Sequence, residues 1–392
     1  MSAESEALQR APLVIETVES SYCRRPPCYR DVTESQWQSY RWQFAHRIAD
    51  AASLAQVIDL SADEREAIDA ISSVFPMAIS PHYAALMRPE LGVTCPVRRQ
   101  AVPLLAELHH HDSLMDDPLG ERRHAVCANL TQRYPDRALI YATHECAMRC
   151  RHCTRRSRVG LMESVSNEAI QRAIDAIKDN KNIRDVLISG GDPLSLPNDV
   201  LRRIFAELRQ CPHVDVIRLC TRMVCTLPQR CSDPDLLGIL GAYAPIYVNT
   251  QFNHPFEATS EAANAMANLR AAGCILGNQS VLLRGINDRA DILEPLYRWL
   301  LRCGCRPYYL FLCDVAQGTA HFRTPIQTGL DIMKAFRGRL SGLAIPHFVV
   351  DLPDGMGKVD LCPDSISSGK TGAALTFRNW FGVDVKYDDC IG

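Results

Sequence analysis

From residue 138 onward, short apolar runs alternate with longer segments that repeat apolar residues at helical spacing. Six runs have the length and composition of buried strands: residues 138–143, 185–189, 216–221, 245–251, 275–283 and 307–312. Helical periodicity follows near residues 167–179, 197–210, 232–243, 260–272, 290–302 and 328–340. Six strand–helix units in succession favour a parallel sheet whose right-handed crossovers close toward a barrel. The pattern therefore predicts an α/β fold, a partial (β/α)6 TIM-like barrel.

The regions before and after these units follow other patterns. Residues 1–130 are punctuated by prolines and mostly helical in pattern, with a capped helix predicted near 61–73, where Glu64 follows Ser61 by three positions. Residues 347–392 add one more apolar run, a glycine-rich turn and an aromatic tail. We predict a helical N-terminal extension over 1–130, a core over 131–355 and a short C-terminal cap over 356–392.

Charge and hydropathy exclude several classes of partner. The chain has 43 Lys+Arg and 45 Asp+Glu among 392 residues, for a formal net charge of −2. Such a balance offers no electrostatic reason to bind nucleic acid. No apolar stretch approaches the roughly 18–20 residues that a spanning helix needs, and the first residues lack the pattern of a secretory signal. We expect a cytoplasmic protein with neither nucleic acid nor membrane as a partner.

Cysteine is the unusual residue type, with seventeen in the chain. Three of them, Cys146, Cys150 and Cys153, lie within eight residues, directly after the first apolar run. Three thiolates can hold three irons of a four-iron cluster and leave the fourth iron open to a small molecule. The alternative is a structural zinc ion with His144 or His152 as the fourth ligand. In a parallel sheet, residues that follow strands lie where the chemistry takes place.

The spacing C-x3-C-x2-C after a strand resembles the radical S-adenosylmethionine superfamily. The longer string CRHCTRR, residues 150–156, resembles the lysine 2,3-aminomutase family. Further shared segments are RYPDR (133–137), SGGDPL (189–194), LPQR (227–230), FNHP (252–255), GNQSVLLRGIND (277–288), RPYYLF (306–311), HFRTP (321–325) and FVVDLPDGMGK (348–358). The resemblance covers roughly residues 30–385 and implies the radical S-adenosylmethionine barrel.

The resemblance implies sites for three cofactors: a [4Fe-4S] cluster, S-adenosyl-L-methionine and pyridoxal 5'-phosphate. It assigns the cluster to Cys146, Cys150 and Cys153. The cofactor pocket would be lined by Ser189, Gly190, Gly191 and Asp192 and by Gln279. Glycines let the backbone approach a ligand closely, although a plain strand-to-helix turn is the alternative for this loop. Gln251 stands where the lysine enzymes have histidine, which puts one pocket contact in doubt.

Lys358 is the second key residue, in a glycine-containing turn. A lysine there can form a Schiff base with pyridoxal phosphate and release it to the substrate amine. In isolation such a turn is more often a solvated loop. The resemblance also implies that Arg133 and Arg137 bind the cofactor phosphate, for which the planar guanidinium is suited. Surface charge beside a strand is the alternative for either arginine.

Three residues bear on the substrate. The resemblance pairs Arg155 with the substrate carboxylate and places Asp314 and Asp351 around the distal cation of lysine. Two carboxylates that converge on one site need a cation to stay ionised together. An ammonium or a guanidinium would supply it, and a glutamate-type substrate would be repelled. A loop cap is the alternative for either aspartate alone.

The resemblance thus implies an isomerase that moves the α-amino group of a cationic L-amino acid to C3. L-lysine to β-lysine is favoured, and L-arginine to β-arginine is the alternative. A further alternative is a shorter relative that isomerises a lysine destined for a translation factor. Its string is closer to CRYCFRR, so the string CRHCTRR in this chain argues against it. The alternative from a different functional class is a non-catalytic iron–sulfur binder or redox sensor. Such a protein would not need Lys358. An electron donor such as flavodoxin or ferredoxin and a homo-oligomeric assembly are further expectations.

Overall fold

The computed structural model describes residues 25–160, 164–363, 366–369, 374–380 and 382–388. The first helices, α1 to α6, are Glu34–Trp37, Tyr40–Ala45, Ala51–Leu54, Ala62–Ile71, Pro81–Ala84 and Pro96–Ala101. Helices α7 to α13 are Asn167–Asp179, Asn198–Arg209, Met223–Thr226, Pro234–Ala242, Ser260–Ala271, Ala290–Arg302 and Ile326–Phe336. Strands β1 to β7 are Ala125–Cys127, Leu130–Tyr134, Arg137–Thr143, Asp185–Gly190, Val216–Cys220, Ile246–Thr250 and Cys274–Leu282. Strands β8 to β13 are Cys305–Leu312, His347–Asp351, Lys358–Asp360, Ile366–Gly369, Ala374–Arg378 and Asp384–Asp388.

Strands β1 to β10 form one sheet in chain order, and β11 to β13 form a second, antiparallel sheet. Strands β3 to β9 run parallel, while β1 and β2 join one edge and β10 joins the other in antiparallel pairing. Within the described residues, β1 and β10 each pair with a single neighbour, so the sheet is an open barrel. The predicted partial barrel is confirmed, and the run at 347–351 adds a seventh parallel strand.

The predicted helices of the core are confirmed with small changes at their ends. Helices α7 and α12 have the predicted bounds, and α8, α10 and α11 agree within two residues. Helix α13 ends at Phe336, four residues before the prediction, because Arg337 is extended and Gly338 has a φ of +75°. The capped helix near residue 61 is also confirmed, since Ser61 accepts a hydrogen bond from the Glu64 N–H at the start of α4.

Alternation along the strands separates the barrel interior from the helical layer. In β7, Leu276 and Leu282 are buried in the main hydrophobic core, whereas Gln279 and Val281 line an interior cavity. The period of two residues along a strand explains why neighbouring positions face opposite sides. In β7 the cavity is therefore lined by residues that alternate with those of the main core.

The N-terminal extension holds the cysteine loop in place. The N–H of Arg149 donates to the Ala78 carbonyl at 2.9 Å, and the N–H of Arg151 donates to the Gln100 carbonyl at 2.9 Å. The fully buried carboxylate of Glu107 accepts hydrogen bonds from the Arg151 guanidinium at 2.7 Å and from the Arg156 guanidinium at 2.6 Å. Although burial opposes it, these two cations hold the pKa of Glu107 below its usual range.

The ten-stranded sheet runs across both predicted domain boundaries. The first, after residue 130, falls inside β2, and β10 lies beyond the second, after residue 355. The three-part division stays a prediction, and residues 1–24 of the extension and parts of the cap lie outside the described residues. Across the part of the chain that the structure describes, no helix has both the length and the apolar character needed to cross a bilayer.

Candidate active site

The barrel interior contains a cavity of about 400 Å³. Every site residue predicted from the sequence lines it: Cys146, Cys150, Cys153, Arg133, Arg137, Arg155, Ser189, Gly190, Gly191, Asp192, Gln279, Asp314, Asp351 and Lys358. This volume is within the range of pockets that enclose small ligands and cofactors. The cysteine loop and Lys358, which are more than 200 positions apart in sequence, therefore share one cavity.

The cysteine loop follows β3 and presents three half-buried thiols. Burial raises the pKa of the Cys146 thiol well above its usual value and that of Cys153 to about 11. Two donors nevertheless point at sulfur: the Arg155 N–H lies 3.4 Å from Cys153 Sγ, and Arg222 Nη1 lies 2.8 Å from Cys150 Sγ. Such donors suit thiolates, which is the form that binds iron.

The arrangement of these thiols bears on which metal they could hold. Among residues 25–160, 164–363 and the described parts of the C-terminal sheet, no three His, Cys, Asp or Glu side chains converge on one ion position. A structural zinc site brings four ligands onto a single ion. In a four-iron cluster the thiolates bind different irons and are spread apart. The loop supplies three cysteines with donors at two of their sulfurs, and these residues would hold three irons of the predicted cluster.

Two glycines join the end of β4 to the cysteine loop. The Gly191 N–H donates to the Thr143 carbonyl at 2.6 Å, and the Asp192 N–H donates to the Glu145 carbonyl at 2.8 Å. A Cβ at Gly190, where φ is +118°, would lie 2.4 Å from the Thr143 oxygen, and one at Gly191 would lie 2.4 Å from the Glu145 oxygen. Any side chain would push the two loops apart, so this close approach requires glycine.

Asp192 organises the loop after β5. Its buried carboxylate accepts hydrogen bonds from Thr221 Oγ1 at 2.7 Å and from the N–H groups of Arg222 at 2.7 Å and Met223 at 3.1 Å. Burial raises the pKa of Asp192, although these donors oppose the shift. The carboxylate therefore fixes the backbone from which Arg222 extends toward Cys150.

A second part of the cavity wall contains Lys358, at the start of β10; we call it the lysine end and the part around the cysteine loop the cysteine end. Its Nζ donates to Asp351 Oδ2 at 2.8 Å and lies 4.1 Å from the ring centroid of Phe311 and 5.1 Å from that of Tyr309. Burial lowers the pKa of Lys358, although Asp351 and Asp314 oppose the shift. A lowered pKa increases the fraction of neutral amine, which is the nucleophile in carbonyl chemistry.

Arginines surround this end from several strands. Arg133, on β2, reaches across the barrel opening and places Nη2 3.0 Å from Asp351 Oδ1. Arg137 pairs with its neighbour Asp136 at 3.0 Å and is 40% exposed. Arg218 also lines the cavity, on β5, with its Nε 3.0 Å from Asp185 Oδ1. Arg218 was not predicted, and its signal in the sequence is a charged residue inside an apolar run.

Arg155 already has an acidic partner. Its Nη2 lies 2.6 Å from Glu121 Oε1, its Nε lies 2.9 Å from the same oxygen, and its Nη1 donates to Ser189 Oγ at 3.0 Å. Glu121 was not predicted from the sequence, because it belongs to no motif and precedes the barrel. The predicted role of Arg155 toward a substrate carboxylate therefore involves a guanidinium that Glu121 orients.

Asp314, after β8, is half-buried in the cavity wall. Burial, together with the nearby carboxylate of Asp351, raises the pKa of Asp314 to about 7. The cations Lys358 and Arg133 reduce this shift without cancelling it. A cation that entered the cavity would favour ionised Asp314, because an opposite charge nearby stabilises the carboxylate.

The cavity wall also contains buried polar atoms that have no hydrogen-bond partner in the described structure. They include Arg133 Nε, Arg149 Nε, His152 Nδ1, Asn249 Nδ2 and Thr250 Oγ1. Buried polar groups are nearly always paired in folded proteins. These unpaired donors and acceptors fit a cavity that receives polar ligands.

Comparison with known families agrees with this geometry. The family model described as Radical SAM superfamily matches residues 140–294, which contain the cysteine loop and strands β4 to β7. A second family model, described as Lysine-2,3-aminomutase, matches residues 333–390, which contain Asp351 and Lys358. The fold and the cysteine motif therefore define a radical S-adenosylmethionine enzyme.

Curated relatives narrow the assignment. Glutamate 2,3-aminomutase of Clostridioides difficile is 42% identical over 358 residues, covering 91% of this chain and 84% of that protein. L-lysine 2,3-aminomutase of Clostridium subterminale is 41% identical over 369 residues, covering 94% and 88%. L-lysine 2,3-aminomutase of Bacillus subtilis is 41% identical over 364 residues, covering 92% and 76%. This chain belongs to the 2,3-aminomutase family of radical S-adenosylmethionine enzymes.

A solved structure of Streptococcus suis SuiB bound to S-adenosylmethionine is a far more distant match. It has 12% sequence identity and a TM-score of 0.41, and the match covers 58% of this chain and 52% of that one. Family membership confirms that the chain is an isomerase. It also confirms the expected cofactors, which are a [4Fe-4S] cluster, S-adenosylmethionine and pyridoxal phosphate. The alternative of a non-catalytic iron–sulfur protein is therefore set aside.

Proposed function

We propose that this enzyme is a 2,3-aminomutase of cationic L-amino acids, with L-lysine the preferred substrate and L-arginine the alternative. Relatives of nearly equal identity are named for lysine and for glutamate, so similarity alone does not separate these substrates. The observation that carries the proposal is the pair Asp314 and Asp351 in the cavity wall beside Lys358.

Charge supports a cationic side chain at this end of the cavity. Asp351 already contacts Lys358 and Arg133, whereas burial, together with the nearby carboxylate of Asp351, raises the pKa of Asp314 to about 7. An ammonium between the two carboxylates would lower the pKa of Asp314. The carboxyl group would then be ionised and pair with the cation. The side-chain carboxylate of glutamate would instead add a third acid to the cluster, which is unfavourable at a buried site.

Each predicted site residue has a proposed task. Cys146, Cys150 and Cys153 would hold the cluster, while Ser189 to Asp192 and Gln279 would line the S-adenosylmethionine pocket. Arg133 and Arg137, joined by Arg218, would bind the phosphate of the pyridoxal cofactor, and Lys358 would hold its carbonyl carbon. When bound, these groups supply a carbon-centred radical and a carbonyl that captures the substrate amine.

The remaining work belongs to the protein itself. Arg155, held by Glu121, would orient the substrate carboxylate, so that the amine faces Lys358 and the β-carbon faces the cysteine loop. Tyr309 and Phe311 provide an apolar wall beside Lys358. Fixing reactants in one geometry and keeping water out are the main contributions a protein makes to such chemistry.

The surroundings of the reaction remain predictions. We propose that an external one-electron donor such as flavodoxin or ferredoxin reduces the cluster. We also propose a homo-oligomeric assembly and a cytoplasmic location.

The test is an anaerobic assay of the reconstituted enzyme with L-lysine, L-arginine and L-glutamate in parallel. Each β-amino acid product is quantified by mass spectrometry after chiral separation. We expect β-lysine to form fastest, β-arginine more slowly and β-glutamate at background. A matched sample of the variant Cys146→Ala defines that background. Glutamate turnover equal to or above lysine turnover would overturn the proposal.

A further inference from the structure

Arg222 has an unusual position between the cysteine loop and the core. It follows β5, its side chain is 8% exposed, and its Nη1 lies 2.8 Å from the sulfur of Cys150. Its Nε donates to the carbonyl of Gln251 at 3.2 Å. Its Nη2 contacts Glu257 Oε1 at 2.7 Å and Gln100 Oε1 at 2.7 Å. All three guanidinium nitrogens are thus fixed, and one of them points at a predicted cluster ligand.

The partners of Arg222 are themselves fixed. Glu257 is fully buried and also accepts a hydrogen bond from the Tyr83 hydroxyl at 2.7 Å. Its second oxygen accepts from the N–H of Asn253 at 2.6 Å and from that of His254 at 3.0 Å. The guanidinium therefore has little freedom to move away from Cys150, because each neighbour is held by several other bonds.

We propose that Arg222 tunes the reduction potential of the iron–sulfur cluster through its charged hydrogen bond to Cys150 Sγ, with Glu257 holding the guanidinium in place. This inference rests on the proposed cluster site at Cys146, Cys150 and Cys153. Arg222 is a positioning and tuning residue, since it acts on a cluster ligand and not on the substrate.

The direction of the effect follows from charge. Reduction adds one electron, supplied by the external donor, and makes the cluster and its thiolates more negative. Hydrogen bonds to the sulfurs and a cation nearby stabilise this reduced form and raise the potential. Because the site is buried, the interaction is screened far less than it would be in water.

The experiment is an anaerobic redox titration of the reconstituted holoenzyme, monitored by the electron paramagnetic resonance signal of the reduced cluster. In Arg222→Gln the cation and its hydrogen bond to Cys150 Sγ are lost while the Glu257 carboxyl group is kept, so we expect the largest shift to a more negative potential. Arg222→Lys keeps a charge and should lie between this variant and the wild type. The double variant Arg222→Gln/Glu257→Gln removes both charges and should also be intermediate.

Arg98→Gln is the matched control. Arg98 is as buried as Arg222 and forms an ion pair with Glu64, yet it does not line the cavity. Its substitution should lower stability without moving the potential. If Arg222→Gln does not fold, Arg222→Lys and the double variant decide, and a lowered potential in either supports the inference.

The outcomes separate this inference from the proposed function. A wild-type enzyme that takes up no iron–sulfur cluster would refute the cluster site itself. A wild-type cluster with an unchanged potential in the Arg222 variants would overturn only the tuning role. Folded Arg222 variants that bind no iron would also overturn the tuning role. The contact would then serve to hold Cys150 in position for iron binding.

Discussion

The two ends of the cavity are built in different ways. At the cysteine end, three predicted ligands lie within eight residues of one loop. The loop donates backbone hydrogen bonds to Ala78 and Gln100, and its start accepts them from Gly191 and Asp192. At the lysine end, β2, β8, β9 and β10 each contribute side chains, and the Arg133–Asp351 pair joins residues 218 positions apart. The first end is a local structure that the fold supports, and the second exists only in the folded barrel.

Their electrostatics differ as well. The cysteine end combines half-buried thiols with guanidinium and backbone donors, which suits an anionic cluster. The lysine end combines two carboxylates with Lys358 and Arg133. Both cations pair with Asp351, so a charged substrate that enters would compete with them. Substitutions at the cysteine end should therefore remove a cofactor outright. Those at the lysine end should also change specificity and pH dependence.

The largest expected effects are losses of one cofactor without the other. Lys358→Ala should reduce the borohydride-fixable pyridoxal signal to background and abolish turnover, because no other amine is predicted to capture the cofactor. Iron content should stay at the wild-type level. The measurement is absorbance of the pyridoxal chromophore together with iron analysis, and the exposed Lys334→Ala serves as control. A pyridoxal signal that persists in Lys358→Ala would contradict the assignment.

The converse substitution is Cys146→Ala. It should lower iron from about four per chain to near zero, since a cluster held by two cysteines is poorly retained. Pyridoxal binding should remain. The measurement is anaerobic absorption spectroscopy with iron analysis, and the control is Cys28→Ala, an exposed thiol outside the cavity. If both cofactors are lost together, the two ends are not independent, and our comparison fails.

Asp314→Asn should weaken the use of L-lysine. Removing one partner of a buried charge pair costs about 2 kcal/mol or more, which corresponds to about a 30-fold rise in KM. The measurement is steady-state kinetics with L-lysine, with Asp331→Asn on the surface of α13 as control. Kinetics that match those of the control would remove Asp314 from the specificity argument.

A smaller effect is expected from pH. Because the pKa of Asp314 in the empty cavity is raised to about 7, its carboxyl group is neutral below that pH and ionised above it. A cationic substrate needs the ionised form, so affinity should fall by up to about tenfold per pH unit as pH drops below 7. Binding of L-lysine measured calorimetrically from pH 5.5 to 8 tests this. In Asp314→Asn the slope should flatten, and a slope that persists would point to another group.

Several parts of the site could be predicted from local sequence because the chemistry itself is local. The cysteine spacing, the Ser189 to Asp192 turn and the Lys358 turn each place reactive residues in a short segment. Glu121 and Arg222 could not be found in this way. Glu121 has no motif around it. The proposed role of Arg222 depends on its contact with the sulfur of Cys150, 72 positions away in the sequence.

The sequence by itself determined the α/β class and most helix bounds of the barrel core, and it singled out the candidate reactive side chains. Periodicity and turn chemistry act over a few residues, so they can be recognised without tertiary contacts. Only the tertiary structure decided which charges meet: that Asp351 holds both Lys358 and Arg133, that Glu121 orients Arg155, and that Arg222 faces Cys150. Such pairings join distant segments, and the open sheet from β1 to β10 fixes the distances between them.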